Sequence, residues 1–413
     1  MTANGETRFG LTYWPIRKGP FFWEAFDAHE VAYELAHAAD LGCAFVRVLL
    51  PWESFQPWER HIAVRAFDAF GRLLDAAEQA GLSVVPVLFV GHLYGQRFLP
   101  RWLMTPAPTP DLNARTVSGG SEYVGRAKNV YTDRPLLEAQ HYFVRELVGF
   151  YAQHPALHAW DVGGNGLFLV VPPPAPDAAV EWLGELVEVI SEVDEGRHPI
   201  WCGLPDSLLT MSGMPFLAVL RGVGVTLALD VYPILHPEAD GPQDADFVAF
   251  TLLLAATLAE GPVGCSATGL PTTGSDLPGP MVEVPRGPDQ PPRQVPLFDE
   301  EAQAAYLERV LAHATALRLP FVAQATFADA PTALWETPPF DQAVLPRHLG
   351  LVRADGREKE AAAVTRRWAR TPGAEEFASP FEARPLSIDP DAFARDPQGT
   401  LAEWYRAFRE GAI

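Results

Sequence analysis

Short apolar runs and longer amphipathic stretches alternate along the whole chain. The short runs are rich in β-branched and aromatic residues, whereas the longer stretches repeat their apolar positions every three to four residues. This alternation predicts a strand followed by a helix, repeated many times. The predicted strands are residues 8–14, 45–50, 82–89, 157–162, 200–204, 224–229, 262–267 and 321–327.

The amphipathic stretches between these runs are predicted helices. Several of them begin with an aspartate that could cap the first turn, namely Asp27, Asp177, Asp244 and Asp299. Near-continuous apolar strands that alternate with helices indicate a parallel sheet covered on its outer face. Eight such units favour an α/β fold of the closed (β/α)8 or TIM-barrel type. No GxGxxG or GxxxxGK[ST] follows a strand, which argues against a dinucleotide-binding or P-loop fold.

Two stretches fall outside this rhythm. Residues 271–298 are rich in Pro and Gly and predict a long loop after strand seven, of the kind that serves as a functional lid or remains disordered. Beyond residue 370 the chain predicts an extended strap and a terminal helix. We therefore expect residues 1–370 to form the barrel and residues 371–413 to be a C-terminal extension packed on it.

Composition and charge narrow the range of partners. With 48% hydrophobic and 20% charged residues the 413-residue chain is typical of a globular protein. A net charge of -21 disfavours nucleic acid and anionic membranes as partners. We expect no leader, because residues 1–10 lack a basic start followed by an apolar core. The sequence also has no 18-residue apolar span and no Cys/His metal spacing. We expect a cytoplasmic protein without metal or cofactor, whose cysteines Cys43, Cys202 and Cys265 are buried free thiols.

Candidate ligand-binding residues lie where the strands end, because barrel sites are built at the C-terminal ends of the strands. Aromatic rings beside hydrogen-bonding groups suit sugars, whose C–H faces stack on rings, although many of these rings could equally belong to the core. Arg47 stands inside an apolar strand and must either point to the barrel mouth or meet an acid, for which Glu53 is a candidate. The candidate ligand-binding residues are Trp14, Arg47, Trp52, His92, Tyr94, Trp160, Asn165 and Tyr232.

The chain resembles the glycoside hydrolases of clan A, specifically the family 5 cellulase and β-mannanase type. The resemblance covers most of residues 8–370 and depends on the order of seven short segments, none of which is specific alone. These segments are FGLTYWP, FVRVLLPWESFQP, VLFVGHLYGQRFLPRWL, HAWDVGGNG, TGLPT, LWETPPFD and HLGLVRADGREKEAA. The resemblance implies a β-mannan or β-glucan type oligosaccharide as ligand.

The mechanism that this resemblance implies needs two glutamates. The first glutamate follows an asparagine at the end of strand four and acts as the acid/base. The second lies at the end of strand seven and acts as the nucleophile. A retaining reaction needs the two carboxyl groups about 5 to 5.5 Å apart. The strand-four motif falls on Trp160, Gly164 and Asn165, or on Asn165 and Gly166 after an insertion. The nucleophile position falls on Ala267. Neither position carries a carboxyl group.

Other positions also depart from the family pattern. Asp230 stands where the family has a histidine, and Ala325 stands where it has the tryptophan that floors the sugar subsite, whereas Arg47, His92 and Tyr232 match. The sequence favours a catalytically inactive pseudoenzyme that binds a carbohydrate or a protein partner. The alternative is an active β-glycosidase with a relocated carboxylate pair, for which Asp230 and Glu53 are candidates. Asp230 could instead pair with Arg47 or His92, and Asp161 could brace the strand-four loop.

Overall fold

Eight parallel strands close into a barrel in chain order. The structure is a computed structural model that describes residues 7–109, 114–163, 166–171, 173–210, 220–273, 281–283, 292–371 and 377–413. Each strand pairs with the next along the chain, and the eighth pairs with the first. The strands are β1 (Arg8–Tyr13), β2 (Phe45–Pro51), β3 (Ser83–Val90), β4 (Trp160–Asp161), β5 (Ile200–Pro205), β6 (Thr226–Asp230), β7 (Val263–Thr268) and β8 (Phe321–Gln324). The predicted (β/α)8 fold is therefore confirmed.

Helices follow the strands and cover the outside of the barrel. The long helices are α1 (Ala28–Asp40), α2 (Val64–Gln79), α3 (Arg134–Tyr151), α4 (Pro176–Asp194), α5 (Ala245–Ala259), α6 (Glu300–Ala316), α7 (Ala361–Arg370), α8 (Pro390–Arg395) and α9 (Pro397–Arg409). Short helices span Trp52–Phe55 and Leu167–Val170. No helix in the described part of the chain is long and apolar enough to cross a membrane.

Aspartates start several helices, as the sequence predicts. The side chain of Asp27 accepts the backbone N–H of His29 and of Glu30, and Asp244 and Asp299 cap α5 and α6 in the same way. The prediction is wrong for Asp177, because Pro176 takes the first helical position and leaves Asp177 inside the first turn. An acidic side chain there still interacts favourably with the helix dipole.

Two strands are shorter than the sequence predicts by three residues or more. β4 is limited to Trp160–Asp161, although an isolated bridge joins Leu157 to Val84. β8 ends at Gln324, and a separate strand, Thr326–Ala328, pairs with Gly350–Val352 instead. The chain thus leaves the barrel early at both places, where the loops towards the site begin.

Several small sheets are formed by segments outside the eight barrel strands. A four-stranded sheet follows β3, and a hairpin lies within the predicted 271–298 loop, of which residues 274–280 and 284–291 are outside the described part. The four-stranded sheet comprises His92–Leu93, Gln96–Phe98, Thr116–Ser118 and Ser121–Glu122. Besides the sheet of Thr326–Ala328 and Gly350–Val352, two-stranded sheets pair Met104–Pro106 with Gly125–Ala127 and Met281–Glu283 with Arg293–Val295.

The C-terminal segment contacts the outside of the barrel. The Tyr405 hydroxyl donates to the Asp244 carboxylate at 2.6 Å, and the rings of Phe250 and Phe408 pack 5.4 Å apart. Helix α9 therefore lies against α5, which explains why α5 is apolar nearly all round.

An aromatic layer fills the N-terminal half of the barrel. Trp201 stacks on Phe321 with ring centroids 3.7 Å apart, and Phe45 meets Trp201 edge-on at 5.7 Å. Bulky side chains in such a layer need small neighbours. At Gly10 a Cβ atom would lie 2.6 Å from the Phe45 ring, so glycine makes room for it.

We expect Gly10→Ala to destabilise the barrel by about 1–3 kcal/mol, because the added methyl group overpacks the aromatic layer. Urea unfolding followed by tryptophan fluorescence measures this change. Gly184→Ala is the matched control, since its Cβ meets nothing within 4 Å on helix α4 and should stabilise by up to about 1 kcal/mol. Equal effects of the two substitutions would contradict this account of the layer.

Candidate functional site

A cavity of about 370 Å³ opens at the C-terminal ends of the strands. Its volume falls in the range of small-molecule sites. Side chains of five strands or strand ends contribute Thr12, Trp14, Arg47, Asp230, Tyr232, Ala267 and Ala325. The loops add His92, Tyr94, Asp206, His236, Glu283 and Arg293. We call this space the mouth cavity.

Strand periodicity explains why these residues meet. Side chains two positions apart on a strand point to the same face. Phe45 of β2 and Ala228 of β6 belong to the cluster that forms the aromatic layer. The residues two positions further along each strand lie one layer closer to the mouth cavity. In β2 and β6 these residues are Arg47 and Asp230. The layer that would be apolar in an ordinary barrel is thus polar here.

Arg47 is the buried centre of this polar layer. Its side chain is 1% exposed, and its Nη2 donates to Asp161 Oδ2 at 2.7 Å. Nη1 donates to the backbone carbonyl of Ser266 at 3.1 Å. Burial lowers the pKa of Arg47, but the charges of Asp161 and Asp230 outweigh it and leave the pKa raised. The guanidinium is therefore fixed as a cation that joins three strands.

Asp161 also braces the loop after strand four. Its Oδ1 accepts the backbone N–H of Gly163 at 3.2 Å and of Gly203 at 2.9 Å. With Arg47 on the other oxygen, the carboxylate is hydrogen-bonded on both sides. The bracing role suggested by the sequence is thus confirmed for Asp161.

Asp230 lies beside this pair but is less tightly held. Its Oδ1 accepts the Ser266 hydroxyl at 2.6 Å and lies 3.8 Å from Arg47 Nη1. Burial raises the pKa of Asp230 to about 6, although the Arg47 charge and the Ser266 hydrogen bond act in the opposite direction. Asp230 therefore pairs loosely with Arg47 and titrates close to neutral pH.

Glu53 is outside the mouth cavity. Its carboxylate accepts the Ser118 hydroxyl and the backbone N–H of Gly119, both at 2.8 Å, and it lines a separate cavity. The prediction that Glu53 pairs with Arg47 is wrong, because Arg47 is satisfied by Asp161. The candidate acid pair of Asp230 and Glu53 is not brought together.

Two of the candidate tryptophans belong to the core. Trp52 is fully buried, and its indole N–H donates to Gln56 at 2.9 Å. Trp160 is also fully buried and donates to Asp194 at 3.1 Å. Expecting these two rings in the site was wrong, because a side chain beside a strand end can point outwards towards the helices. By contrast Trp14, Arg47, His92, Tyr94 and Tyr232 all line the mouth cavity.

Close packing explains the glycines after strand four. A Cβ at Gly163 would lie 1.8 Å from the Gly203 carbonyl oxygen, so no side chain fits there. Gly166 has φ +93°, and its Cβ would lie 2.8 Å from Nδ1 of His92. Gly164 and Asn165 lie outside the described residues. In the register that places the acid/base at position 166, the His92 ring stands where that side chain would begin.

At the end of strand seven, Ala267 is part of an apolar wall. It clusters with Tyr232, Val295, Ala325, Val344, Leu345 and Leu349. The two small residues, Ala267 and Ala325, leave room for side chains from the loops after strands seven and eight. One wall of the mouth cavity is therefore apolar, and the opposite wall, around Arg47 and Asp230, is polar.

Sequence reasoning missed two ion pairs at the rim. Asp206, which directly follows β5, accepts the Tyr232 N–H at 3.0 Å and lies 2.9 Å from Nε2 of His236. Glu283 accepts from Arg293 at 2.8 Å and from the Val344 N–H at 3.1 Å. Asp206 and His236 lie outside the barrel strands, and Glu283 and Arg293 lie in the short hairpin of the predicted long loop, so only their acidic or basic type could have suggested them.

Described groups with metal-ligand spacing occur elsewhere. Asp75, Glu78 and His154 bring their ligating atoms within 4.8 Å of one another on the surface. Exposed side chains of this kind form many such clusters without binding a metal, and no cavity residue takes part.

We expect Arg47→Met to cost about 3–5 kcal/mol of unfolding free energy, because it leaves buried Asp161 without its cation. The double variant Arg47→Met/Asp161→Asn should lose clearly less than the sum of the single variants, since the amide oxygen can still accept the Gly163 and Gly203 N–H groups. Urea unfolding measures this cycle. Arg409→Met, which removes an exposed pair with Asp240, should cost under about 1 kcal/mol. Additive single effects would contradict the buried pair.

The titration of Asp230 makes the free energy of unfolding depend on pH. Because its pKa is about 6 in the folded protein, above the value of an unfolded aspartate, its stabilising proton is present below about pH 4 and is lost as pH rises through 6. Relative to Asp230→Asn, the wild type should lose about 2–3 kcal/mol between about pH 4 and pH 7.5. Urea midpoints for both proteins across this range measure the difference, and a constant difference would refute it.

Comparison with known proteins rests on structure. No protein-family profile matches the chain, and no curated protein matches its sequence. Solved structures do match over nearly the whole chain. The GH5_18 protein from Streptomyces cattleya in complex with GlcNAc superposes with a TM-score of 0.75 at 23% identity, covering 98% of this chain and 92% of that one.

Two further solved structures also superpose on this chain. The GH5_18 protein from Bifidobacterium longum subsp. infantis gives a TM-score of 0.70 at 20% identity, with 98% and 90% of the two chains covered. The exo-β-1,4-mannosidase Op5Man5 from an Opitutaceae bacterium gives 0.68 at 22% identity, with 90% and 60% covered. The chain therefore has the (β/α)8 barrel fold of these glycoside hydrolases, and the resemblance to clan A, family 5 is confirmed at the level of fold.

Proposed function

We propose that the barrel binds a small saccharide in the mouth cavity and does not hydrolyse it by the retaining mechanism. The observation that carries this proposal is the make-up of the cavity wall. Rings and hydrogen-bonding groups are kept at the strand ends, while the nucleophile position is the methyl group of Ala267. A methyl group cannot form a glycosyl ester, and a retaining reaction needs two carboxyls.

The wall offers the two kinds of contact that a sugar needs. Trp14 and Tyr94 provide ring faces, and Arg47, His92 and Asp230 provide polar groups on the other side. Arg47 Nε makes no hydrogen bond among the described residues, so a ligand hydroxyl could accept from it. Support for a saccharide also comes from the Streptomyces cattleya neighbour, which holds GlcNAc, and from a variant of that protein, which holds Manb1-4GlcNAc.

The experiment measures binding and turnover on the same purified protein. Calorimetry with Manβ1-4GlcNAc should give saturable heat, and an aryl β-mannoside should show no turnover above the buffer rate. Trp14→Ala should weaken binding about 5- to 30-fold, because one stacking face is lost. Tyr33→Ala, which removes an exposed ring remote from the cavity, should leave binding unchanged.

Absence of binding to any mannan, glucan or xylan oligosaccharide would overturn the saccharide proposal and favour a protein partner. Turnover by the wild type would favour a second candidate function, an active β-glycosidase with a relocated acid. The pKa of Asp230 suits a general acid at neutral pH. In that case Asp230→Asn should abolish turnover, whereas Glu53→Gln should not, because Glu53 lies outside the mouth cavity.

A further inference from the structure

Carboxylates outnumber cations around the mouth cavity. Those that line it or contact its lining side chains are Asp161, Asp206, Asp230, Glu238 and Glu283. The cations are Arg47, Arg293 and His236. Over the described residues, the wall of the cavity is therefore net negative even when His236 carries a proton.

His92 does not correct this imbalance. Its Nε2 accepts the backbone N–H of Gly95 at 3.0 Å. Even if His92 carried a proton, the five carboxylates would still outnumber the cations, which would then number four.

The excess charge is concentrated on Asp230. Arg47 gives its closest contact to Asp161 at 2.7 Å, and Arg293 lies 2.8 Å from Glu283. His236 lies 2.9 Å from Asp206. Asp230 has its nearest described cation at 3.8 Å, beyond hydrogen-bonding distance. Each neighbouring cation is therefore already matched to another carboxylate.

Two aromatic side chains line the same space. Tyr94 and Trp14 line the mouth cavity with Asp230, and the negative charge of Asp230 contributes to a raised pKa of Tyr94, after the larger effect of burial. Rings attract cations through their faces, and the attraction grows when water is excluded. A carboxylate beside such rings forms a place for a positive group.

We infer that the mouth cavity selects a saccharide that carries a protonated amine, an amino sugar, with Asp230 as the counter-ion of the ammonium group. This inference rests on the proposed saccharide-binding function and specifies its ligand. Asp230 accepts from the ammonium, the rings of Trp14 and Tyr94 cover the sugar, and uronic acids are excluded by like charge. A neutral N-acetyl group cannot form this ion pair with Asp230.

The test compares D-glucosamine with N-acetyl-D-glucosamine and D-glucose by calorimetry at about pH 7 in an amine-free buffer. The wild type should bind glucosamine at least about tenfold more tightly than either neutral sugar. Asp230→Asn should bring the three affinities to within about twofold, mainly by weakening glucosamine. Glu53→Gln should keep the wild-type preference, because it removes a carboxylate from a different cavity.

The outcomes separate the two proposals. Binding of all three sugars with equal affinity would overturn the amine inference and leave saccharide binding intact. Binding of none of these sugars, or of the oligosaccharides above, would overturn both. A preference that survives Asp230→Asn would also overturn the inference, since it assigns that preference to this side chain.

A measurement on the wild type alone covers the case in which Asp230→Asn does not fold. At about pH 6 Asp230 is partly protonated in the free protein, so glucosamine should expel a fraction of a proton on binding, and N-acetylglucosamine should not. Calorimetry in buffers of different ionisation heat detects this release, and its absence would overturn the inference. The charged and titratable groups around Asp230 are Arg47, Asp161, Asp206, Tyr94, Tyr232 and Cys265.

Discussion

The buried ion pair between Arg47 and Asp161 is the constraint on which the mouth of this barrel depends. Both side chains are almost fully buried, so neither charge can be removed alone without leaving the other unpaired. Through Asp161 the pair fixes the backbone at Gly163 and Gly203, and through Arg47 it reaches Ser266. Strands two, four, five and seven are thereby held at the level where the cavity begins.

This pair also sets the electrostatics of its surroundings. Because Arg47 gives its short contact to Asp161, Asp230 is left with a hydroxyl and a distant cation, and burial then raises its pKa. The apolar wall around Ala267 and Ala325 adds little polarity to compensate. The mouth cavity thus has one carboxylate with a raised pKa on its polar wall and an apolar wall opposite.

The barrel could be predicted from sequence because period-two and helical patterns repeat eight times, and most site residues followed from their place at the strand ends. Patterns near a strand end do not tell which way a ring points, so the sequence predicts Trp52 and Trp160 in the site although they lie in the core. The sequence suggests Glu53 as the partner of Arg47 because the two are close along the chain, whereas Asp161 is close to Arg47 only in the closed barrel. Long-range pairing of this kind has no local signal.

The close approach of the His92 ring to Gly166 limits which side chains position 166 can hold. The ring stands 2.8 Å from where a Cβ at position 166 would lie, and the glycine has φ +93°. In the register that places the acid at this position, a glutamate there would meet the His92 ring and would need a left-handed backbone conformation that non-glycine residues rarely adopt. A carboxyl group at position 166 would therefore require His92 and the loop backbone to move first.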